Sequence, residues 1–383
     1  MIATESAHLL QVYAQLPLDL VSAEGVHLRT AEGREILDFY GGHAVAALGY
    51  GHPRIVETLR RQATEMTFQT NAVALDVRAR AAGKLAAVAP AGLRRVFFVN
   101  SGAEANENAL RLAFFARPGR DKVVALEHGF HGRTAAAAAV TWGASKWYGF
   151  PAPPFPVAFV PRGDAARLQE AIDGRTAAVI VEPIQGMAGA VALDPAFLEA
   201  LRRRCDETGA LLVFDEVQSG IGRSGRYFAC QKHDVTPDIL TTAKGLAAGF
   251  PVGAVLTTEE IASHASMGSL GTTFGGGPMA CALVSTVLDV IAEDGLLENV
   301  RDVSDRIRSK CKTGPVESIQ GEGFLLGLRC RKPAAAVRDE LLSRNVLVGT
   351  SADPAVVRLL PPLTLKPRHV DVLSEALEKV SDP

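Results

Sequence analysis

Cysteine is scarce in this chain and scattered. Only five cysteines occur among 383 residues, and no two of them form a C-x-x-C pair. An odd, dispersed set argues against a disulfide framework and against a structural zinc site. We therefore expect neither disulfides nor a bound metal. The five are Cys205, Cys230, Cys281, Cys311 and Cys330.

Concentrated charge and long apolar runs are also missing. The net charge is −2 and there is no basic cluster, which argues against nucleic-acid or anionic-membrane partners. Glycine, proline or charge interrupts every apolar stretch well short of a membrane span. The N-terminal segment MIATESAHLL has no basic region before an apolar one, so we expect no signal peptide and a cytoplasmic protein.

What the chain does contain is a regular alternation of short apolar runs and helical stretches. Between Val96 and Pro278 the runs VFFV, KVVAL, VAFV, AAVIV and LLVF alternate with helical patterns such as Ala165–Ile172 and Pro195–Thr208. This alternation predicts an α/β fold with a doubly wound, mainly parallel sheet. We expect residues 45–278 to form this large domain. Residues 1–44, which contain a predicted β-hairpin, and residues 279–383 are expected to form a smaller α+β domain.

Asp215 and Lys244 dominate the middle of the chain. Asp215 ends the apolar run Leu211–Phe214, and Lys244 follows a second apolar run just before Gly245. Ligands of open α/β sheets bind at the carboxyl ends of such strands. Taken singly, the Asp is typical of a helix cap and the Lys of a surface helix end. Taken together, they suit pyridoxal phosphate, with Asp215 on the ring nitrogen and Lys244 as the Schiff-base lysine.

The run VFFVNSGAEANE offers a site for the cofactor phosphate. Ser101, Gly102 and Ala103 follow a strand and open a helix, and exposed N–H groups at a helix N-terminus bind anions. A plain Ser101 N-cap with Glu104 in the first turn is equally compatible with these residues. The absence of a side chain at Gly102 favours the close approach of an anion.

Three further runs carry candidate site residues. In EHGFHGRT, Phe130 is able to stack on a planar ring and Arg133 to bind a carboxylate, whereas His131 is expected only to pack. In VEPIQG, Glu182 ends a buried strand, either ordering the site or accepting a loop hydrogen bond. The glycine-rich run GTTFGGGPMA contributes the hydroxyls of the adjacent threonines at 272 and 273.

These runs, in this order, resemble the class III pyridoxal-phosphate aminotransferases, and within them the acetylornithine aminotransferase branch. The matching motifs are NSGAEANE, FHGRT, VEPIQG, VFDEVQSGIGRSG, PDILTTAKG, GTTFGG and VVRLLPPL. The resemblance extends from Leu28 to Leu365. It implies fold type I, the aspartate aminotransferase-like fold, with a large cofactor domain built on a mainly parallel sheet of the seven-stranded type.

The resemblance also implies roles for residues around the cofactor. Lys244 would bond the cofactor aldehyde and Asp215 would pair with the pyridine nitrogen. Phe130 and Val217 would sandwich the ring, and Gln218 would contact its phenolic oxygen. The phosphate ligands implied are the backbone N–H groups of the loop Ser101, Gly102 and Ala103.

The remaining implied roles concern substrates and the partner subunit. Thr273 would reach the phosphate of the partner's cofactor, which implies an obligate homodimer. Arg133 and Thr272 correspond to substrate-contacting positions, and Arg358 is a candidate second carboxylate clamp. The branch typically has Glu where this chain has Met187, so we expect Arg358 to stay open to carboxylate in both half-reactions.

The function that follows is transfer of the terminal amino group of N-acetylornithine to 2-oxoglutarate by a ping-pong reaction. Within the family, donors such as ornithine, 4-aminobutyrate, N-succinyl-diaminopimelate or a carrier-bound lysine precursor remain open, as does an aminomutase. A nucleotide-binding α/β protein is the reading from another class, but the chain has neither G-x-x-x-x-G-K-[ST] nor a G-x-G-x-x-G after its first strand. A non-catalytic paralogue also remains open.

Overall fold

The computed structural model describes residues 2–233 and 235–381. The predicted domain division includes residues 1, 234, 382 and 383, which lie outside the described residues. No helix in the described ranges has both the length and the apolarity needed to cross a bilayer. All five cysteines are free and buried.

The helices are spread along the whole chain. They are α1 (Ile2–His8), α2 (Gly41–Ala44), α3 (Pro53–Glu65), α4 (Asp76–Val88), α5 (Gly102–Ala116), α6 (Ala135–Ala139), α7 (Ala165–Ala171), α8 (Pro195–Thr208), α9 (Glu259–Ser263), α10 (Pro278–Glu293), α11 (Leu296–Lys310), α12 (Ala334–Ser343) and α13 (Pro367–Glu378). Short 3₁₀ segments are Ala144–Lys146, Ala229–Lys232 and Lys244–Ala247.

The strands alternate with helices in the middle of the chain and lie beside one another at its two ends. They are β1 (Leu20–Glu24), β2 (His27–Thr30), β3 (Glu35–Asp38), β4 (Arg95–Val99), β5 (Lys122–Leu126), β6 (Val157–Val160), β7 (Thr176–Val181), β8 (Ile184–Gln185), β9 (Val191–Ala192), β10 (Leu211–Asp215), β11 (Ile239–Thr242), β12 (Gly253–Thr257), β13 (Val316–Glu322), β14 (Leu325–Cys330), β15 (Val346–Leu347), β16 (Gly349–Thr350) and β17 (Val356–Leu359).

A seven-stranded sheet forms the centre of the molecule. Its order is β4-β12-β11-β10-β7-β5-β6, and only β12 runs antiparallel to its neighbours. Strands β7, β10 and β11 are buried along their whole length. Helices cover both faces, as a continuous apolar strand pattern requires. The predicted α/β class with a mainly parallel sheet is confirmed.

The chain ends form two smaller sheets beside this one. Strands β2 and β3 form the predicted β-hairpin, β1 extends it by antiparallel pairing with β2, and β15 pairs in parallel with β3. Strands β13, β14, β17 and β16 form a second antiparallel sheet. The N-terminal strands therefore share a sheet with a segment more than 300 residues later. The division into two domains at residues 45 and 278 stays a prediction.

Candidate active site

Five sheet strands deliver their following residues to one cavity. Strands β4, β5, β7, β10 and β11 point the same way, so the residues that follow them meet at one edge of the sheet. A cavity of about 570 Å³ lies there. Ten of the predicted site residues line it: Ser101, Gly102, Ala103, Phe130, Arg133, Glu182, Asp215, Val217, Gln218 and Lys244.

Asp215 is held by three donors, two of them from distant segments of the chain and one from the residue two positions later. Its Oδ2 accepts from Asn106 Nδ2 at 2.7 Å and from His131 Nδ1 at 2.8 Å, and its Oδ1 accepts from the backbone N–H of Val217 at 3.0 Å. Asn106 is fixed in turn by Thr241, whose hydroxyl donates to its Oδ1 at 2.7 Å. Three hydrogen bonds thus hold the buried carboxylate of Asp215 in one orientation.

Lys244 faces the carboxylate of Asp215 across the cavity without pairing to it. Within the described residues, no hydrogen bond or ion pair engages its amine. Burial lowers the pKa of Lys244, the charge of Arg358 lowers it further, and the charges of Asp215 and Glu182 oppose this effect. Its backbone is left-handed, with φ of 44°, a conformation that L residues rarely adopt outside functional sites. The result is an amine with increased neutral, nucleophilic character.

Glu182 orders the loops on the far side of the cavity. Its Oε1 accepts from the backbone N–H of Phe130 at 2.9 Å and its Oε2 from that of Gly186 at 3.1 Å. Burial raises the pKa of Glu182 to about 7 against the opposing charge of His131. Both interpretations of this residue are therefore compatible with the structure: it accepts loop hydrogen bonds and it orders residues of the cavity.

The N-terminus of α5 presents backbone N–H groups to the cavity. Ser101 is its N-cap, with Oγ accepting from the N–H of Glu104 at 3.1 Å. A Cβ at Gly102 would lie only 2.6 Å from Cγ1 of Val217. Gly102 thus allows Val217 to pack directly against the helix start, which leaves the first N–H groups uncovered for an anion.

Two arginines approach the cavity in different ways. Arg133 lines it, and its guanidinium lies 4.6 Å from the ring centroid of Trp147. Arg358 lies behind the lining and is 1% exposed. Its Nε donates to the carbonyl of Thr350 at 2.7 Å, and its Nη1 lies 3.2 Å from the carbonyl oxygen of Gly186 and 3.4 Å from Gln218 Oε1.

The two threonines of GTTFGG lie outside the cavity lining of this chain. Asn100 Nδ2 donates to the Thr272 hydroxyl at 3.1 Å, whereas Thr273 is exposed. Their proposed contacts with substrate and with a partner's cofactor therefore stay predictions.

Several residues that the sequence did not single out complete the site. His131 was expected only to pack, but it binds Asp215, and its Nε2 has no partner among the described residues. Asn106 lies one helical turn after Gly102 in α5, and this spacing was the sequence feature that could have identified it as a site residue. His43 also lines the cavity, and no local sequence signal points to it.

The chain is similar to known proteins over nearly its whole length. The model of the family Aminotransferase class-III matches residues 10–380. The chain is 38% identical to the acetylornithine aminotransferase of Methanocaldococcus jannaschii, covering 98% of this chain and 96% of that protein. It is 42% identical to the acetylornithine aminotransferase of Streptomyces coelicolor, covering 98% and 93%.

A solved structure gives the same fold. The ornithine aminotransferase of Toxoplasma gondii superposes with a TM-score of 0.92 at 28% identity, covering 99% of this chain and 93% of that one. That structure was described as having partial occupancy of PLP at its active site.

Proposed function

The chain belongs to the class III aminotransferases, and from this we propose that it transfers the terminal amino group of N-acetylornithine to 2-oxoglutarate. The products are the corresponding semialdehyde and glutamate, formed in two half-reactions at one site. The observation that carries the proposal is the meeting of Lys244, Asp215 and the α5 N-terminus in one cavity, in a chain 38–42% identical to two acetylornithine aminotransferases.

The donor set of the cavity fits pyridoxal 5′-phosphate. The N–H groups of Gly102 and Ala103, with Ser101, suit its phosphate, and the side chains of Phe130 and Val217, which both line the cavity, suit the faces of a flat ring. When bound, pyridoxal phosphate supplies an aldehyde that bonds amines and a ring that withdraws electrons from the substrate carbon.

Asp215 would hold the proton on the ring nitrogen. Its carboxylate has three protein donors and still faces the cavity, so it is oriented toward a cation there. Gln218, which also lines the cavity, would donate to the phenolic oxygen. These two contacts would orient the ring before any substrate enters.

Lys244 would carry the proton that each half-reaction moves. Because burial lowers its pKa, a released Lys244 amine is able to take a proton from the substrate carbon and to return one at the adjacent position. In residues 2–233 and 235–381, the amine has no hydrogen-bond or ion-pair partner that would have to be displaced first.

Arg133 and Arg358 would bind the carboxylates of the substrates. Arg133 lines the cavity and is exposed, so it suits the carboxylate farthest from the reacting carbon. Arg358 acts electrostatically on Lys244, so it suits a carboxylate beside the reacting carbon. Thr272 and Glu182 are the other proposed substrate contacts, Thr272 by hydrogen bonding and Glu182 by ordering the loop of Phe130.

A homodimer completes the proposal. Thr273 is exposed on this chain and is assigned to the cofactor phosphate of the partner subunit, so each site would draw residues from both chains. The reaction is proposed to take place in the cytoplasm.

A panel of amine donors tests the function. Purified protein is supplied with 2-oxoglutarate and N-acetylornithine, ornithine, N-succinyl-diaminopimelate or 4-aminobutyrate, and glutamate formation is measured. We expect the highest kcat/KM with N-acetylornithine. A tenfold higher kcat/KM with another amine would mean that this amine, and not N-acetylornithine, is the donor. A product formed without 2-oxoglutarate would indicate an aminomutase.

A further inference from the structure

The residue that follows β4 is bonded to a distant glycine-rich loop, residues 271–277. Asn100 Nδ2 donates to the hydroxyl oxygen of Thr272 at 3.1 Å and to Oε2 of Glu104 at 2.9 Å. The backbone N–H of Asn100 donates to the same oxygen of Glu104 at 2.9 Å. An amide nitrogen has two hydrogens to donate. Both are used here, so the orientation of the Asn100 amide is fixed.

Asn100 also belongs to the proposed phosphate site of its own chain. It lines the cavity and directly precedes Ser101 and Gly102. Its partner Glu104 lies in the first turn of α5 and donates its N–H to Oγ of Ser101 at 3.1 Å. The start of α5 and the side chain of Asn100 are therefore held by one set of hydrogen bonds. From this set, the Asn100 amide extends to the glycine-rich loop.

Thr272 closes a tight turn in the glycine-rich loop. Its Oγ accepts from the N–H of Gly275 at 3.1 Å, which spans residues 273 and 274. Gly275 lies directly against the end of β4, because a side chain there would overlap the carbonyl oxygen of Phe98. The turn thus rests on the strand that leads into Asn100.

The far end of the glycine-rich loop is held separately. Asn71 Nδ2 donates to the carbonyl of Gly275 at 2.9 Å, and Arg78 Nε donates to that of Gly276 at 2.7 Å. At the near end, Asn71 Nδ2 lies 3.4 Å from the carbonyl oxygen of Thr272. The shorter contact of Asn100 with the Thr272 side chain therefore makes the larger contribution to holding the near end.

The two residues between these anchored ends face outward. Thr273 and Phe274 are exposed, whereas Gly275 is buried. Groups that bind a ligand have to be held within about 0.5 Å of their productive position. An exposed residue that serves a site in another subunit meets this condition only if its own chain holds it. The hydrogen bonds of Thr272 supply such support directly beside Thr273.

We propose that Asn100 is a positioning residue that couples the two sites of the dimer. In each subunit it holds Thr272, and through Thr272 it places Thr273 in the partner's site. The proposal rests on the proposed function, in which Thr273 binds the phosphate of the partner's cofactor. The start of α5 in one subunit thereby affects how tightly the other subunit holds its cofactor. Asn100 needs no contact of its own with that cofactor.

Hydrogen exchange in the cofactor-free protein tests the support of the turn. Asn100→Ala should raise the exchange rate of the Gly275 N–H about fivefold, since Thr272 loses a donor that holds its hydroxyl in place. Thr272→Val removes the shared hydroxyl itself and should raise the rate at least as much, so it serves as a second variant. Asn108→Ala is the matched control, because that asparagine of α5 donates to the backbone carbonyl of Glu104 at 2.8 Å. Equal exchange rates in all three variants would overturn the proposal.

Hybrid dimers test the effect on the partner. One chain carries Lys244→Ala, which disables its own site, together with Asn100→Ala, and the other chain is wild type. The single working site then has its native Asn100 and receives Thr273 from the altered chain. The rate of the glutamate half-reaction is measured over a series of pyridoxal phosphate concentrations. We expect the half-saturating concentration to rise about tenfold over a hybrid that carries Lys244→Ala alone, as for one lost hydrogen bond to a charged group.

A second hybrid separates this inference from the shared site itself. Its disabled chain carries Thr273→Val in place of Asn100→Ala. Similar rises in both hybrids would support the inference. A rise only with Thr273→Val would overturn it and leave the shared site in place. A rise only with Asn100→Ala would show that the effect does not pass through Thr273, and no rise in either hybrid would overturn the shared site as well.

Discussion

Lys244 has the most important proposed role of any single side chain. Burying its amine lowers the free energy of unfolding of the protein. A lysine whose pKa is lower in the folded than in the unfolded chain destabilises the fold while it is protonated. This cost is full below the folded pKa and disappears as the pH rises to the unfolded value.

Lys244→Met should therefore stabilise the cofactor-free protein at neutral pH. The expected gain is about 1.4 kcal/mol for each unit by which the pKa is lowered, and it should shrink as the pH rises toward that of free lysine. Urea unfolding at several pH values measures this. Lys232→Met is the control, because that lysine is exposed and paired with Glu322. A gain that does not depend on pH would show that the amine is not the cause.

Met187 is the second residue with a specific consequence. Among the described residues no carboxylate forms an ion pair with Arg358, so its guanidinium is expected to attract the α-carboxylate of a diamino acid, which places the α-amine at the reacting position. Acylation removes this option, because an amide nitrogen does not react. Free ornithine is still able to bind with its α-amine at the reacting position, and this mode competes with productive binding of its terminal amine.

Met187→Glu should therefore lower the ratio of kcat/KM for N-acetylornithine to that for the terminal amine of ornithine. We expect a change of about three- to tenfold, the range for one partly screened ion pair. Met187→Gln has a similar shape without the charge and serves as the control. An unchanged ratio in Met187→Glu would mean that Arg358 does not select between these donors.

At the scale of elements, the contact between α5 and the segment after β10 is the most sensitive. A methyl group at Gly102 would meet Cγ1 of Val217 at 2.6 Å, so Gly102→Ala must push Val217 toward the cavity or away from the helix. We expect cofactor affinity to fall about tenfold, as for a lost hydrogen bond to phosphate or a displaced apolar wall.

Gly83→Ala is the matched control for this change. Gly83 lies inside α4 with open space around it, so alanine there should stabilise the helix by up to about 1 kcal/mol. Titration with the cofactor and thermal unfolding measure the two effects. Equal cofactor affinities for the two variants would refute the assigned phosphate site.

Several strands and helices of this fold could be predicted from the sequence alone. The buried strands of the central sheet were predictable because short apolar runs that alternate with helical stretches are typical of strands buried on both faces of a parallel sheet. Helix α8 was predicted with its observed bounds, since Asp194 and Pro195 mark its start and Gly209 its end. The family prediction is confirmed by the comparisons.

Contacts between residues far apart in the chain could not be predicted from the sequence. His131 and Asp215 are separated by 84 positions, and nothing near His131 indicates a carboxylate partner. The position of Tyr40 relative to His43 depends on four successive residues with left-handed backbone. The letters GGHA suggest this conformation only in part, since histidine and alanine usually avoid it.

At the scale of the whole molecule, the most important prediction is that each active site contains residues from both subunits. Thr273 is exposed here and lies outside the cavity of its own chain. If it serves the partner's site, a hybrid of a Lys244→Ala chain and a Thr273→Val chain contains one site with both native residues.

Such hybrids should therefore regain activity that neither parent has at limiting cofactor. The expected value is half that of wild-type dimers, because one of two sites is restored. Co-expression with two affinity tags isolates the hybrid, and glutamate formation is measured. Activity no higher than that of the parents would place Thr273 in its own subunit's site or outside any site.

The central claim is that Lys244 bonds the cofactor aldehyde while Asp215 holds the far side of the same ring. The most direct measurement soaks the protein with pyridoxal phosphate, reduces it with borohydride and maps the modified peptide by mass spectrometry. We predict a single pyridoxyl group on Lys244. A label on another lysine, or no label at all, would contradict it.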